Sequence, residues 1–573
     1  MKELYRKLLS LTGKKYGLYK SLSQKTWNLG DFDLEFIHIQ GDPYAPASKI
    51  LLTAPFSCLG LQPQFINSFT KRLATSDFLL RRLSQAIEEW NPKDQPVFTV
   101  MKPGQEVVLR NALWIENGKV QVCLQIKLPG NQRIIDASEA ANLITSVLPD
   151  LLTSSLYDFG GQFLETLKKH IECLEIREAL KEQIQSSGLI AFIPNGAILP
   201  RASGLSDEPL LEAIRFQSPL DMECSFDVLG QTISGMGIPK GITVISGGAY
   251  HGKSTVLNAL EKAVYPHIPG DGREWIVIDE TATRIHSEEG RSVRESDISF
   301  LVRDLPFGIK TDRFSTASAS GSTSEAANLL EAAEFGATTF LIDEDSSAVN
   351  FLIRDPRVRA LIGSEREPLI PLIDRIVTLK KHGLNFLLVA GACGDYLQVA
   401  DQVILVNNYL PENATAKAKL INEQNPPLSK LAEEENVVLP LHFSESRSFL
   451  TYIQPLLPHV RPSSPVERQV KIKMKGDTCL QIGFLLSETN KIAGFCNTSQ
   501  RFGAGYILLN LLQNATEEPS FELIQKWCAQ IQNVGFRKLP QGFSRDLSLP
   551  RTQEIAATLL RLRHYSKEQS SAK

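Results

Sequence analysis

The sequence predicts an α/β protein of three domains, with a central α/β domain between an α+β N-terminal domain and a small α+β C-terminal domain. Two observations carry this prediction: short β-branched runs separated by helical stretches from Gly241 onward, and strand-like segments on either side of that region. The length of 573 residues agrees, because domains hold roughly 150 residues each. We place the domains at residues 1–167, 168–456 and 457–573.

The flanking domains are predicted from a few strand and helix patterns. In the N-terminal domain, Phe32–Ile39 alternates apolar and polar residues, and Val120–Leu128 is also strand-like. A helical run follows at about 165–186. In the C-terminal domain, Val470–Lys475 predicts a strand. A linker punctuated by prolines precedes it, marked by Pro455, Pro458, Pro462 and Pro465.

Five apolar, β-branched runs in the central domain predict buried strands of one α/β sheet. These runs are Gly241–Ile245, Trp275–Ile278, Thr338–Ile342, Phe386–Val389 and Val403–Val406. Helical stretches separate them, as expected for strands that are joined by crossover connections. We therefore expect the chemistry of the protein in this domain.

Composition excludes several classes of protein. Lys plus Arg number 61 against 64 Asp plus Glu, a net charge of −3, which excludes a polycation or an acidic-tail protein. The eight cysteines are scattered without a C-x-x-C pair, which argues against a disulfide framework or a zinc site. The sequence shows no signal peptide and no apolar run near the roughly 20 residues of a bilayer span. We expect a soluble, cytoplasmic protein with no membrane partner.

A glycine-rich loop follows the first central strand and fits the pattern G-x-x-x-x-G-K-[ST]. It comprises Gly247, Gly248, Ala249, Tyr250, His251, Gly252, Lys253, Ser254 and Thr255. Such a loop wraps backbone N–H groups around phosphate oxygens at a helix N-terminus. Lys253 is expected to reach the β- and γ-phosphates, and the Ser254 hydroxyl to bind Mg²⁺. For His251, a contact with nucleotide or partner and a cap of the loop both stay open.

An acidic pair ends the strand Thr338–Ile342. Asp343 has the position expected of a Mg²⁺ ligand, direct or through water. Glu344 has the position of a carboxylate that orients and activates an attacking water. An acidic turn after a strand is common by itself, but downstream of a phosphate loop it indicates hydrolysis of a nucleoside triphosphate.

A small, hydroxyl-rich turn lies shortly before the acidic strand. Ser320, Gly321, Ser322 and Thr323 precede an apolar helical stretch. Ser and Thr favour the N-cap of any helix, and a helix N-terminus also attracts anions. A plain cap and an anion-binding turn are therefore the two interpretations, of which we favour the second.

In this order, the motifs resemble the predicted ATPases of the ABC class, which have a central ABC-type ATPase domain and no transporter part. Other matching blocks are Gln40–Pro46, Asp77–Arg82, Leu199–Gly204, Gly235–Pro239, His267–Glu274, Arg354–Asp355 and Gly394–Tyr396. The resemblance covers nearly the whole chain and is weakest after about Leu456. It implies ATP and Mg²⁺ as ligands and a head-to-tail homodimer. In that dimer, Ser320–Ser322 of one chain would complete the site around Lys253 of the other.

Two departures from the pattern of ABC ATPases predict slow turnover. The strand Phe386–Val389 should lead into a switch histidine, but it runs into Ala390-Gly391-Ala392-Cys393, and His382 precedes the strand. The turn at Ser320 reads S-G-S-T where S-G-G-Q is usual. We expect ATP binding to be intact and ATP to act mainly as a clamp.

Three functions stay open. The first is a dimeric ATPase coupled to nucleic acid, with RNA favoured over DNA. The second is an ATP-gated scaffold for a protein partner, without catalysis. The third is a P-loop kinase of a small metabolite, for which Arg284, Arg291 and Arg294 would form a lid.

The nucleic-acid hypothesis depends on basic residues late in the chain. Lys471, Lys473 and Lys475 share one face of the predicted strand, which would concentrate positive charge for phosphate contacts. Lysines on an exposed strand also prevent edge pairing, which is the alternative explanation. A second basic group comprises Arg537, Lys538, Arg545, Arg551, Arg561, Arg563 and Lys567. Phe226 is a candidate for stacking on adenine, with core packing as the alternative.

Overall fold

The structure is a computed structural model. It describes residues 1–157, 160–303, 305–363, 367–425, 447–461, 469–514, 516–539 and 546–564. The backbone forms two compact units, the first made of Met1–Glu175 and Ala529–Leu549 and the second of Ile176–Cys528 and Pro550–Lys573. The boundaries predicted at 167/168 and 456/457 stay predictions.

The first unit is built on an antiparallel sheet. Its strands are β1 (Trp27–Leu29), β2 (Phe32–His38), β3 (Ser48–Pro55), β4 (Phe98–Thr99), β5 (Leu113–Glu116), β6 (Lys119–Ile126), β7 (Gly130–Asn131) and β8 (Ile134–Ile135). Six of them pair in the order β1-β2-β3-β6-β4, with β5 also on β6, and β7 pairs with β8. The predicted strands at Phe32–Ile39 and Val120–Leu128 are confirmed as β2 and β6.

The second unit contains the remaining strands. They are β9 (Leu189–Pro194), β10 (Arg201–Ser203), β11 (Ser206–Pro209), β12 (Glu223–Val228), β13 (Gln231–Pro239), β14 (Ile242–Gly247), β15 (Val277–Ile278), β16 (Thr283–Ile285), β17 (Val293–Ser296), β18 (Phe314–Thr316), β19 (Thr339–Asp343), β20 (Asn385–Val389), β21 (Gln402–Asn407), β22 (Leu410–Asn413), β23 (Ile472–Lys475), β24 (Cys479–Ile482), β25 (Leu485–Glu488) and β26 (Arg563–His564). They form two larger sheets, a C-terminal sheet and two short ladders.

Helices occur throughout the chain. They are α1 (Lys2–Leu9), α2 (Phe69–Trp90), α3 (Ala137–Asn142), α4 (Leu148–Leu156), α5 (Gly161–Ser186), α6 (Lys253–Lys262), α7 (Gly321–Glu334), α8 (Val349–Leu352), α9 (Pro356–Ile362), α10 (Leu372–Lys381), α11 (Thr415–Gln424), α12 (Phe449–Ile453), α13 (Thr498–Gln513), α14 (Ser520–Val534) and α15 (Thr552–Leu560). The helical run predicted at 165–186 is confirmed as the larger part of α5.

The central sheet of the second unit has the order β16-β19-β20-β14-β21-β22. Its first five strands are parallel, and β22 returns antiparallel to β21. Every residue of β19 and β20 is buried, as expected for parallel strands that helices cover on both faces. The carboxyl ends of parallel strands meet at one edge, so Gly247, Asp343 and Val389 lie along the same edge. The predicted α/β class is confirmed.

The run Trp275–Ile278 belongs to another sheet, so its prediction as a central parallel strand is wrong. Its last two residues form β15, which pairs antiparallel with β9 in the sheet β12-β13-β9-β15. Val277 is buried there with Phe192 and Phe226, under the α5 residues of the same apolar cluster. An apolar run indicates that a strand is buried, but it does not indicate which sheet the strand joins.

The C-terminal sheet of the second unit is antiparallel, in the order β23-β24-β25-β26. The strand predicted at Val470–Lys475 is confirmed as β23, which lies at the edge of this sheet. Lys471, Lys473 and Lys475 are exposed along it. Exposed lysines on an edge strand also fit the prevention of edge pairing.

Two residues of the second basic group lie inside the unit, so their prediction as part of a basic surface is wrong. The Arg551 side chain is 13% exposed and pairs with Glu554 at 2.5 Å. The Arg561 side chain is 9% exposed and pairs with Glu288. Their charges are already compensated by buried carboxylates, which leaves less charge for an external anion. Outside the described residues lie Arg545, Lys567, Pro462 and Pro465.

The sequence also predicts that the chain has no bilayer span and no disulfide framework. In the part of the chain that the structure describes, no helix combines the length and the apolarity needed to cross a bilayer. All eight cysteines fall within the described residues, and none forms a disulfide. The cytoplasmic location stays a prediction.

Candidate functional site

The glycine-rich loop joins β14 to α6, and two of its glycines have backbone conformations that other residues rarely adopt. Gly247 has φ of +147°, and a Cβ there would lie 2.3 Å from the Val406 carbonyl oxygen. Gly252, the residue before α6, has φ of +100°. The first glycine therefore permits close approach of β21, and the second turns the chain into the helix.

Lys253 begins α6 and folds back over the loop. Its Nζ donates to the carbonyl oxygens of Gly247 and Gly248, each at 2.8 Å. Ser254 and Thr255 follow in the first turn of the helix and are half-buried, while Ala249 and Tyr250 form an exposed loop tip. The predicted phosphate-binding residues are therefore gathered around one helix N-terminus, where the dipole favours anions.

His251 is tied to the turn between β21 and β22. Its Nδ1 accepts the Asn408 N–H at 3.0 Å, and its carbonyl oxygen accepts the Tyr409 N–H at 3.2 Å. Asn408 and Tyr409 both have positive φ, as in a tight hairpin turn. The Tyr409 ring lies against Gly252, 3.1 Å from the position of a Cβ there. The structure thus gives His251 a bracing role in the loop.

Glu344 is held by the loop that follows β20. Its Oε2 accepts the N–H groups of Gly391 at 2.7 Å, Ala392 at 3.0 Å and Cys393 at 3.3 Å. Three converging donors orient the carboxylate and leave Oε1 without a donor among the described residues. The loop that lacks a switch histidine therefore serves to position the predicted catalytic carboxylate.

Lys253 and Glu344 converge at Gly391. A Cβ at Gly391 would lie 3.9 Å from both Lys253 Cε and Glu344 Oε2. His382, by contrast, caps α10 at the other end of β20. The fold therefore brings the predicted lysine and carboxylate together and leaves His382 at the opposite end of β20.

Asp343 ends β19 and is 3% exposed. Its Oδ2 lies 3.5 Å from an Arg284 amino group, and its Oδ1 accepts the Asp345 N–H at 3.3 Å. Arg284 also donates to Glu261 at 2.9 Å. His286 follows β16, the neighbouring strand, and burial lowers its pKa to about 4, which keeps the imidazole neutral near pH 7.

The hydroxyl-rich turn caps α7. Ser320 is the N-cap residue, and its Oγ accepts the Thr323 N–H at 3.4 Å and lies 2.9 Å from the Thr323 hydroxyl. The Gly321 N–H donates to a Glu289 carboxylate oxygen at 2.8 Å, and Ser322 is half-buried. The turn therefore shows the features of both interpretations. It caps the helix, and its N-terminus holds an anionic group, the Glu289 carboxylate.

No hydrogen bond or ion pair among the described residues joins this turn to Lys253. A buried carboxylate instead links α7 to the loop after Asp343. Glu325 accepts the Ala348 N–H at 2.8 Å, and its other oxygen is buried without a partner. Burial raises the pKa of Glu325 to about 7.

Ser254 and Asp343 suit Mg²⁺ by their chemistry, because a hydroxyl and a carboxylate are hard oxygen ligands. The described residues contain no group of three His, Cys, Asp or Glu side chains placed to hold a metal. That agrees with Mg²⁺ in phosphate sites, which takes few protein ligands and completes its shell with phosphate oxygens and water.

Several residues of the site were not predicted from the sequence. The sequence indicates Arg284 only as a candidate for a kinase lid, and it gives no signal for Glu289, Asn408 or Tyr409. Each acts through a contact with a residue far along the chain, and no local motif marks it. Phe226, a candidate for stacking on adenine, is 8% exposed and packs edge-on against Phe192, so its ring belongs to the core.

The three arginines of the hypothetical kinase lid are engaged inside the second unit. Arg291 pairs with Glu331, and Arg294 donates to the carbonyl oxygens of Tyr452 and Leu562. Arg284 is held by the carboxylates at the site. Side chains anchored in this way do not form a mobile lid.

Comparisons with known proteins agree with this geometry. Residues 164–441 match the P-loop domain model of the ABC-type ATPases, and residues 1–158 match the model of the N-terminal domain of ATPases of the ABC class. An uncharacterized protein of Methanocaldococcus jannaschii is 30% identical over 187 residues, which cover 30% of this chain and 41% of that protein. The chain therefore spans less than half of this relative's length.

Two solved structures are similar to part of the chain. The ADP conformation of an ATP-binding cassette of an ABC transporter is 12% identical, covers 35% of this chain and 92% of its own, and has a TM-score of 0.23. CbiO1 from Clostridium perfringens, part of an ABC transporter complex, is 14% identical, covers 42% and 96%, and has a TM-score of 0.27. On the two family models, which together match most of its length, the chain belongs to the ATPases of the ABC class, a family of nucleotide-binding P-loop proteins.

Proposed function

We propose that this chain binds ATP with Mg²⁺ and hydrolyses it slowly in a head-to-tail homodimer. The observation that carries the proposal is the convergence at Gly391, where a Cβ would lie 3.9 Å from both Lys253 Cε and Glu344 Oε2. A phosphate-binding lysine and a hydrolytic carboxylate border one space at the N-terminus of α6. That space suits the γ-phosphoryl group of a nucleoside triphosphate.

The binding step uses the loop and the helix. Backbone N–H groups between Gly248 and Ser254 surround the phosphate oxygens, and the α6 dipole favours their charge. Lys253 exchanges its two carbonyl acceptors for β- and γ-phosphate oxygens. Ser254 and Asp343 would hold Mg²⁺, which would supply neutralisation of phosphate charge.

The hydrolytic step uses Glu344. Water attacks the γ-phosphorus, the bond to the oxygen that leaves with ADP breaks, and the proton of the water passes to the Glu344 carboxylate. Three backbone donors already hold Oε2, so Oε1 is the oxygen available to that water. The base is therefore oriented before the nucleotide arrives.

Slow turnover follows from what the loop after β20 contains. It presents backbone N–H groups to Glu344, and it carries no imidazole that would donate to the γ-phosphate. Loss of one donor to a transition state costs about 10²–10³ in rate in other enzymes. We therefore expect unhydrolysed ATP to stay bound and to keep the proposed dimer together for longer than one binding event with a partner lasts.

The homodimer is proposed because no hydrogen bond or ion pair among the described residues joins the hydroxyl-rich turn to its own P-loop. In a head-to-tail dimer, Ser320–Thr323 of one chain would face the γ-phosphate held by the other. Two apolar side chains beside the site support a covering second copy: Tyr250 is 95% exposed and Val349 is 69% exposed. Such side chains stabilise an interface when they are buried.

We further propose that ATP turnover is coupled to RNA binding. Lys471, Lys473 and Lys475 remain exposed on β23, and a dimer would present two such rows to a phosphate backbone. The alternative is an ATP-gated scaffold that binds a protein and no nucleic acid. A cytoplasmic location agrees with both.

Steady-state ATP turnover, with and without single-stranded RNA, tests the proposal. Lys253→Ala and Glu344→Gln are expected to lower kcat by about 10²-fold or more. Lys419→Ala and Glu423→Gln, exposed positions on α11, serve as matched controls. Equal turnover in all four variants and the wild type would show that the activity comes from a contaminant or from another site.

RNA coupling has a separate outcome. Charge reversal at Lys471, Lys473 and Lys475 should reduce RNA binding and any RNA-stimulated turnover, and leave basal turnover unchanged. ATP binding without Glu344-dependent turnover, unaffected by RNA and by charge reversal at these lysines, would favour the scaffold.

A further inference from the structure

A second cleft lies at the amino-terminal edge of the central sheet, the edge opposite Gly247. Its volume is about 770 Å³, within the roughly 300–1,000 Å³ of small-molecule sites. Its lining includes Gly241, Thr338 and Asn385, which stand at the beginnings of β14, β19 and β20. The three strands that carry the proposed nucleotide site therefore begin at this cleft.

One wall of the cleft is apolar. Leu189 of β9 and Pro239 of β13 line it and are partly exposed, and the almost fully buried Ile190, Val277 and Ile184 also border it. These residues belong to or adjoin the antiparallel sheet β12-β13-β9-β15, so the cleft separates that sheet from the central one. A flat apolar wall of this kind accepts an aromatic or aliphatic body.

The polar floor is already hydrogen-bonded. Both Thr338 and Thr339 donate to one Asp279 carboxylate oxygen at 2.6 Å, and Thr281 donates to the other at 3.0 Å. Because these groups satisfy one another, a ligand does not have to compensate them when it displaces water. The Asp279 carboxylate keeps its negative charge, so the anionic group of a ligand has to lie away from this floor.

A second network joins the strand beginnings. Asn385 Oδ1 accepts the Gly241 N–H at 2.9 Å, and Asp401 Oδ2 accepts the Ile242 N–H at 2.8 Å. Lys380 donates to Asp401 at 2.8 Å. Gly241 has φ of +119°, and a Cβ there would lie 2.3 Å from Asp401 Oδ2. Asn385 also donates from Nδ2 to the Thr338 carbonyl oxygen at 3.1 Å, so hydrogen bonds connect the beginnings of β14, β19 and β20.

The three lysines of the lining differ in their partners. Lys181 pairs with Glu280 at 2.6 Å, and Lys380 pairs with Asp401. Lys240 is exposed at the rim, and its ammonium group makes no ion pair or hydrogen bond within the described residues. The cleft thus offers one uncompensated positive charge beside an apolar wall.

We propose that this cleft binds a small molecule with an apolar ring or chain and one anionic group, a carboxylate or sulfonate, with the anionic group on Lys240. The apolar body lies against Leu189 and Pro239. Occupancy fixes the beginnings of β14, β19 and β20 relative to one another. Its effect on ATP affinity rests on the proposed function, whereas binding in the cleft does not.

Fluorescence titration with a matched pair of probes tests the binding. 8-Anilinonaphthalene-1-sulfonate has the anionic group and the apolar rings, and N-phenyl-1-naphthylamine has the same rings without the charge. Lys240→Glu is expected to weaken the sulfonate probe about tenfold, the worth of one charged hydrogen bond, and to leave the neutral probe unchanged. Gln185→Trp, at an exposed lining position of α5, should weaken both probes by filling the cleft.

Lys419→Glu is the charge-matched control, and circular dichroism melting of each variant shows whether it is folded. Equal affinity of the sulfonate probe for Lys240→Glu and the wild type overturns the proposal. Probe affinities that are the same in Gln185→Trp and the wild type overturn it too. A wild type that binds the probe in the cleft but shows no ATP binding would refute the proposed function and leave the cleft standing. ATP affinity that changes with saturating probe in the wild type, and not in Lys240→Glu, is the expected sign of coupling.

Discussion

Glu344 accepts the Gly391 N–H at 2.7 Å, which joins the carboxylate after β19 to the loop after β20. A Cβ at Gly391 would enter the space between this carboxylate and Lys253, with no atom nearer than 3.9 Å. The fold of Gly391→Ala should therefore be intact. We expect its kcat to fall about tenfold, because the added methyl group displaces the reacting phosphoryl group from its position.

The check is kcat together with the melting temperature. Gly394→Ala, three residues along the same loop and with open space around its Cβ, is the matched control. A Gly391→Ala enzyme with wild-type kcat would mean that the reacting group lies elsewhere.

Gly247 should be the least replaceable glycine of the phosphate loop. Gly247→Ala places a methyl group 2.3 Å from the Val406 carbonyl oxygen at φ of +147°, and we expect a loss of about 2 kcal/mol or more in unfolding free energy. Gly248→Ala meets the His251 ring at 3.2 Å, a smaller overlap at a φ outside the left-handed region, and should cost much less. Urea denaturation of both variants measures the difference, and similar midpoints would contradict this account of the loop.

Tyr409 is proposed to lie beside the sugar or base of bound ATP, because its ring packs on Gly252 and is 55% exposed. Tyr409→Ala is expected to weaken ATP binding about tenfold, the worth of one stacking contact. Binding of inorganic tripolyphosphate should not change, since it has neither sugar nor base. Tyr44→Ala, an exposed tyrosine of the first unit, is the control, and equal losses for ATP and tripolyphosphate would indicate damage to the loop instead.

Glu289 holds the α7 N-terminus at Gly321, where the partner's γ-phosphate would lie in the proposed dimer. Glu289→Gln removes the competing negative charge and should tighten the ATP-bound dimer about threefold to fivefold. Sedimentation velocity with ATP, in a Glu344→Gln background that retains ATP, measures this. The control is Glu423→Gln in the same background. Dimers of unchanged strength would argue that α7 does not face the partner's nucleotide.

Glu325 should make stability depend on pH. Burial raises its pKa from 4.5 to about 7, so the folded protein holds a proton that the unfolded chain releases. Its stabilising contribution is complete below pH 4.5 and is lost as pH rises to about 7, a change of about 3 kcal/mol. Glu325→Gln is expected to remove that part of the dependence, as seen in unfolding free energies at pH 5 and pH 8. The same slope in both proteins would assign the dependence to other groups.

The sequence by itself determined the local parts of this protein. The strand, glycine loop and helix at 242–262 follow from β-branched burial and from glycines that adopt positive φ, all within one short segment. The acidic end of β19 and the cap at Ser320 are equally local. The motifs in their order also indicated the family, which the two matching models confirm.

Only the tertiary structure determined which distant residues contact these local elements. Glu344 is oriented by N–H groups 47 to 49 residues away, and His251 is braced by a turn 157 residues away. The strand at Val277 joins β9 in another sheet, and Arg561 is buried on Glu288, 273 residues away. A residue pattern records whether a side chain is buried or charged. Which partner buries or neutralises it depends on contacts between distant segments, and these exist only once the chain has folded.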